Sequence, residues 1–171
     1  MKIFITGGNG QIAYALKKEA ALAHHEVLAP DHSTCDITDF PSLKHYIIQF
    51  KPDVVVNTAA YTQVDQAELE SDLAFAVNRE GAKNVAIVCD VVRCPLIHLS
   101  TDYVFDGEKR IPYTESDPLN PLNIYGLSKA EGEAGVREYC ENHMIIRVSA
   151  VFGTHGYNFV KTILLLAKEN E

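Results

Sequence analysis

Two side chains in the run Tyr125-Gly126-Leu127-Ser128-Lys129 could do acid–base chemistry together. On a helix, residues four apart share a face, with Cβ atoms about 6 Å from each other. An ammonium that close to a phenol lowers the phenol's pKa towards working pH. A phenol tuned in this way can act as a general acid. An exposed helix surface carries such pairs too, so the weight falls on what lies upstream. Ser100-Thr101-Asp102-Tyr103 puts two hydroxyls directly after an apolar run, where Thr101 could bond a carbonyl oxygen or Tyr125 itself. Nearer the start, Gly7-Gly8-Asn9-Gly10-Gln11-Ile12-Ala13 follows the apolar run of residues 1–6.

Each of these groups needs an element to position it. Residues 1–6 read as a short buried strand, stopped by the glycines, and a helix from Tyr14 to Ala23 follows with Ile12, Ala15, Leu16 and Leu22 largely on one side. Gly7 permits the sharp turn. Gly10 lets backbone approach a pyrophosphate, Ala13 lets the helix pack closely, and the helix N-terminus offers free N–H groups to an anion. A second strand, 26–29, ends near Asp31, at about the ~20-residue offset from the glycine turn expected of a carboxylate that binds an adenosine ribose. No arginine follows closely, a lean towards NADH over NADPH.

Asp39 or Thr38 can cap a helix that Pro41 initiates, with Leu43, Tyr46, Ile47 and Phe50 as its inner stripe. The β-branched run 53–57 reads as a central strand. The small residues after it, including Ala59 and Ala60, leave room for a ligand over the sheet. One long helical region is expected from Gln66 to about Val92, with close packing or a break at Gly81. A fourth strand, 95–100, delivers Thr101. The proline-rich loop 104–123 exceeds the usual loop length, which points to function. A helix over 125–139 is expected to turn Leu127, Ala130, Ala134 and Val136 to the core. A fifth strand, 143–148, and an amphipathic helix, 158–168, come last, before a charged tail of Lys168, Glu169, Asn170 and Glu171.

Strand and helix alternate throughout, which predicts an α/β fold with a doubly wound parallel sheet, Rossmann-like, and a single dinucleotide-binding domain over 1–171. The chain has 171 residues, 47% hydrophobic and 22% charged, a globular composition. Its net charge of -8 argues against nucleic acid or an anionic membrane as partner. No apolar run is long enough to span a bilayer. The four cysteines lack Cys-x-x-Cys spacing and the seven histidines lack ligand spacing, so reduced structural thiols in a cytoplasmic protein, without a metal site, are expected. The glycine turn, Thr101 and the Tyr125/Lys129 pair then sit at carboxyl ends of strands in one sheet. A dinucleotide bound there would bring its nicotinamide towards a phenol acid, the equipment for reducing a carbonyl, with Lys129 tuning the phenol and holding the nicotinamide ribose.

The residues Thr6–Gln11, the run from Asn57 to Thr62, Val64 to Glu68, Leu99 to Gly107 and Tyr125 to Lys129 resemble the extended short-chain dehydrogenases, and within them the dTDP-4-dehydrorhamnose reductase family. The resemblance covers essentially the whole chain. It implies Tyr125 as catalytic acid, Lys129 as its partner and Thr101 as the hydroxyl that tunes them. It further implies Gly10, Gln11 and Ile12 at the cofactor pyrophosphate, Asp31 at the adenosine ribose, and Asp36 and Ile37 beside the adenine. Ala60, Tyr61 and Thr62 would line the cofactor further along, and Asp102 would touch the sugar of a nucleotide-sugar substrate. The cofactor it implies is NADPH or NADH. Two departures stand out. Where the family reads Arg-Thr-Ser-Trp, this chain has Arg147-Val148-Ser149-Ala150, without the tryptophan that touches the sugar. Family members also continue into a smaller substrate-closing region, so this chain is expected to be a fragment, or a truncated protein whose substrate-binding region is largely absent. Other readings are an epimerase or dehydratase of the same fold, which recycles its nicotinamide, and a non-catalytic dinucleotide-binding regulator. The sequence leaves a homodimer open.

Overall fold

The apolar, β-branched runs become five strands, β1 (Lys2–Thr6), β2 (Glu26–Leu28), β3 (Val54–Asn57), β4 (Leu96–Thr101) and β5 (His143–Val148). In the computed structural model, which describes residues 1–169, they form one parallel sheet in the order β2-β1-β3-β4-β5. Asn170 and Glu171, the end of the charged tail, lie outside the described residues. The chain order reverses between β1 and β3, and the crevice above that point is where doubly wound sheets hold ligands. Alternate side chains go to opposite faces. Phe4, Val55 and Leu96 pack with Leu43, Ile47, Val85 and Val136 on one face. Ile5 and Val56 pack with Ala13 on the other.

The helices are α1 (Gln11–Leu22), α2 (Phe40–Phe50), α3 (Val64–Ala67), α4 (Ser71–Phe75), α5 (Ala82–Val92), α6 (Ile124–Tyr139) and α7 (Phe159–Glu169). Asp39 caps α2, its carboxylate accepting from the Ser42 N–H at 3.2 Å, and Leu43 and Ile47 are the buried stripe. On α1 Ala13 and Ala20 are buried and Leu16 packs beside Ala13 against the sheet, while Ala15 and Leu22 face outward. The small side chains win because the helix lies close over the sheet.

Two expectations are corrected here. The region from Gln66 to Val92 is not one helix. It runs as α3, α4, a π-helical turn over Ala76–Gly81 and α5. Gly81 supplies both anticipated features, since it ends the π turn and a Cβ on it would stand 2.6 Å from the Ile37 side chain. The second correction concerns α6. Its buried residues are Gly126, Ser128, Lys129, Gly132, Glu133 and Val136, while Leu127 and Ala134 are exposed. A Cβ on Gly126 would run into the Tyr103 carbonyl oxygen, and one on Gly132 into that of Asn78. The helix is seated on backbone, too near for leucine, and the polar side chains between the glycines must find partners inside. Gly132→Ala is therefore expected to cost about 1–3 kcal/mol, read as a lower urea midpoint. An unchanged midpoint would show that α6 can shift away without loss.

The sheet is covered unevenly. β5 is an edge strand with Met144 and Ile146 exposed, and Ile163, Leu164 and Leu165 of α7 are exposed as well. Among the described residues, no helix is long and apolar enough to cross a membrane.

Candidate active site

A cleft of about 850 Å³ opens above the carboxyl ends of β1, β3 and β4 and is lined at one end by Gly7 and Gly10 and at the other by Tyr125 and Lys129. Gly7 has φ +68, a left-handed conformation that glycine adopts without strain. Its carbonyl accepts from the Gly10 N–H at 2.9 Å, which closes the turn. Gly10 then caps α1 with no side chain over the first-turn N–H groups of Gln11 and Ile12. The Gln11 Oε1 is buried at the same place without a hydrogen-bond partner. Uncapped donors, an orphaned polar atom and a glycine backbone wall together fit an anionic dinucleotide.

The other sequence-derived cofactor residues separate into two groups. Asp36, Ile37, Ala59, Ala60, Tyr61 and Thr62 line the cleft with Gly7, Gly10, Gln11 and Ile12. Asp31 is not among its lining. Its carboxylate accepts from the Ser33 hydroxyl at 2.8 Å, the Thr34 N–H at 3.0 Å and the Asn9 amide at 3.3 Å, and these bonds hold it below the usual carboxylate range. Below the crevice, buried Thr6 donates to Asn57 at 2.6 Å, and the Asn57 amide donates to His98 Nδ1 at 3.0 Å. Nδ1 thus accepts, so His98 carries its hydrogen on Nε2. Burial, followed by the Lys129 charge, holds this imidazole neutral.

The chemistry-bearing residues meet at the far end. Thr101 and Asp102 follow β4, and the Thr101 hydroxyl donates to Asp102 at 3.1 Å while accepting from the Tyr103 N–H at 3.2 Å. Ser149 donates to the other Asp102 oxygen at 2.6 Å. Tyr125, in the first turn of α6, has the Tyr103 ring edge-on at 5.6 Å. The expected lowering of its pKa by Lys129 is not found. Burial raises the phenol, Asp102 and Tyr103 raise it further, and the bond with Thr101 opposes them. The reason is geometric: Lys129 Nζ donates to the Leu99 carbonyl of β4 at 2.6 Å. Lys129 is 2% exposed, and burial brings its own pKa down to about 8, with Glu133 working the other way. Tyr125 thus holds its proton at neutral pH, which suits an acid.

Two features of this site, Asn78 and the Glu133–Arg147 pair, were not singled out from sequence. Asn78, in the π turn, accepts from the Tyr61 N–H at 2.9 Å and donates to the Tyr61 carbonyl and to Ser128 Oγ, both at 3.0 Å, so it fastens the cleft wall to α6. Its signal was a lone amide in an apolar stretch. Glu133 and Arg147 form the second addition, a bidentate buried pair at 2.9 and 2.7 Å. Glu133 could have been noticed one turn after Lys129. Ala150, at the position where a tryptophan was expected from the resemblance, lines the cleft with φ +47.

Fold and site together define a Rossmann-like chain whose crevice has a glycine turn at one end and Tyr125 and Lys129 at the other. The family model described as the RmlD substrate binding domain matches residues 1–171, and the chain belongs to that family. It is 45% identical over 171 residues to a dTDP-4-dehydrorhamnose reductase of Sinorhizobium fredii, covering 100% of this chain and 57% of that protein. A crystal structure of a dTDP-4-dehydrorhamnose reductase from Clostridium acetobutylicum superposes with a TM-score of 0.95 at 41% identity, covering 99% of this chain and 60% of that one. A Bacillus anthracis dTDP-4-dehydrorhamnose reductase in complex with NADP gives a TM-score of 0.95 at 40% identity, covering 98% and 60%. The chain thus spans about three-fifths of the length of these relatives.

Proposed function

We propose that residues 1–171 are the dinucleotide-binding domain of a reductase that converts the 4-keto group of dTDP-4-dehydrorhamnose into the alcohol of dTDP-L-rhamnose, with NADPH or NADH. The observation that carries this is the opening of Tyr125, Lys129 and Thr101 into the same cleft as the glycine turn. The names of the relatives supply the substrate, and the nucleotide in the Bacillus anthracis relative supports the cofactor. Gly7, Gly10, Gln11 and Ile12 would hold the pyrophosphate, Asp36 and Ile37 the adenine end, and Ala59 to Thr62 the length of the cofactor. A reduced nicotinamide supplies a hydride to the carbonyl carbon when bound.

The protein's own residues do the rest. Tyr125 gives its phenolic proton to the developing alkoxide. Thr101, turning its hydroxyl proton from Asp102, would donate to the carbonyl oxygen or the phenol, and so lower the cost of charge there. Lys129 supplies a buried positive charge and reaches the nicotinamide ribose. Asp102, fixed by Ser149 and Thr101, would meet the sugar. The described cysteines are all buried and unbridged, which fits a cytoplasmic protein.

Mixing the chain with dTDP-4-keto-6-deoxy-L-mannose and NADPH or NADH tests the reading. Stoichiometric loss of the reduced cofactor is expected. Retained dinucleotide binding without turnover would sink the enzyme reading for this chain, and turnover without net cofactor consumption would make it an epimerase or dehydratase. Lys129→Ala is expected to weaken dinucleotide binding as well as reduction, since one ammonium serves both. Unchanged affinity in a fluorescence titration would contradict the ribose contact.

A further inference from the structure

Lys129 is not the only buried charge on α6. One turn on, Glu133 is 0% exposed, and residues four apart share a helix face. Its carboxylate accepts from Arg147 Nε at 2.9 Å and Nη2 at 2.7 Å, and from Arg137 Nη2 at 2.9 Å. These are charge-assisted bonds of the strong, bidentate kind. Lys129 reaches β4 through the Leu99 carbonyl while Glu133 reaches β5 through Arg147, so α6 is tied to both strands by adjacent buried charges.

We propose that Glu133, clamped by Arg147 and Arg137 one turn beyond Lys129, is a positioning residue that keeps Lys129 an ammonium ion at the cleft floor. The inference rests on the reductase reading only for what that ammonium is used for. The groups around Lys129 leave Glu133 in this role. Tyr125 on the same helix holds its proton, His98 on β4 is neutral, and Arg137 and Arg147 are cations. Asp102, after β4, is engaged by Ser149 and Thr101. From the π turn, Arg79 pairs with Glu80 and Glu131. Glu133 is the anion that acts on Lys129 against its burial, and the bonds from Arg147 and Arg137 hold Glu133 ionised although burial alone would protonate it. The arginines therefore serve Lys129 indirectly, by keeping its counter-ion charged.

The test is an NMR titration of the 171-residue chain labelled with [ε-13C]lysine, the Lys129 signal being assigned by its loss in Lys129→Arg. The wild-type signal is expected to titrate near pH 8. In Glu133→Gln the midpoint is expected to fall by about one unit or more, the effect of removing a close opposite charge. Since that variant leaves buried cations without their anion, Glu133→Gln/Arg147→Gln is measured beside it. Removing a buried pair as a unit is tolerated far better than removing one member, and a smaller downward shift is expected, because the Arg147 cation leaves with the anion. A Lys129 midpoint unmoved in the folded variants overturns the proposal, because a purely structural Glu133 would change stability and leave this titration in place. Failure of the wild-type chain to bind a dinucleotide would instead strike the reductase reading and leave the titration result standing.

Discussion

Tyr125→Phe is expected to lower ketone reduction by about 10²–10⁴-fold, the usual contribution of a positioned general acid, while dinucleotide affinity stays within a few-fold. The change deletes one hydroxyl and keeps the ring that stacks edge-on with Tyr103. It removes the proton donor at the mouth of the cleft and little packing. Burial and the neighbouring Asp102 hold the wild-type phenol protonated above its ordinary range, so the proton is available throughout neutral pH. The check is a paired measurement of turnover and of dinucleotide binding on one preparation. Activity surviving at more than a tenth of wild type would place the acid elsewhere. A parallel loss of binding would mean that the phenol acts mainly on the cofactor.

Arg147→Met is expected to destabilise the chain by about 3–5 kcal/mol, the cost of breaking a buried pair by removing one partner. Glu133 would keep only Arg137, which is half exposed, and Phe105 would lose the guanidinium that lies 4.9 Å from its ring centre. Urea unfolding at pH 7 measures the loss. The sign of its pH dependence follows from Glu133, whose folded pKa is depressed by the arginines in spite of burial. Its contribution is complete above the unfolded carboxylate pKa of about 4.3 and is lost as pH falls through the lower folded value. The gap between wild type and variant should therefore narrow in acid. A difference under about 1 kcal/mol at pH 7 would show that Arg137 alone satisfies the carboxylate.

Much of this protein follows from local pattern. Short β-branched runs punctuated by glycine and proline read as strands, and five of them alternating with helices point to a parallel sheet. The glycine turn carries its geometry in its spacing, because Gly7 needs a left-handed φ and Gly10 leaves an uncapped helix end. Given a helix there, Tyr125 and Lys129 share one face of it by their four-residue separation. Pattern also set where Thr101 would stand, since the end of an apolar run is the end of a strand.

What only the tertiary structure decided is where the charges point. Four-residue spacing brings Lys129 within reach of Tyr125 and Glu133 alike, on opposite sides of it along α6. The helix lies so close to its neighbours, through Gly126 and Gly132, that Lys129 is driven inward onto the Leu99 carbonyl. It becomes a buried ammonium whose field is shared with Glu133 and, beyond it, with Arg147 on β5. The break of the expected 66–92 helix at a π turn has the same origin. Asn78 is turned inward to bond Tyr61 and Ser128, two residues that are distant in sequence and adjacent in the fold. Asp31, at a suitable offset, bonds Ser33 and Thr34 of its own turn and Asn9 of the glycine turn. Spacing along a chain fixes which side chains can meet. Which of them do meet depends on long-range contacts and on the burial of charge, and neither has a local signature.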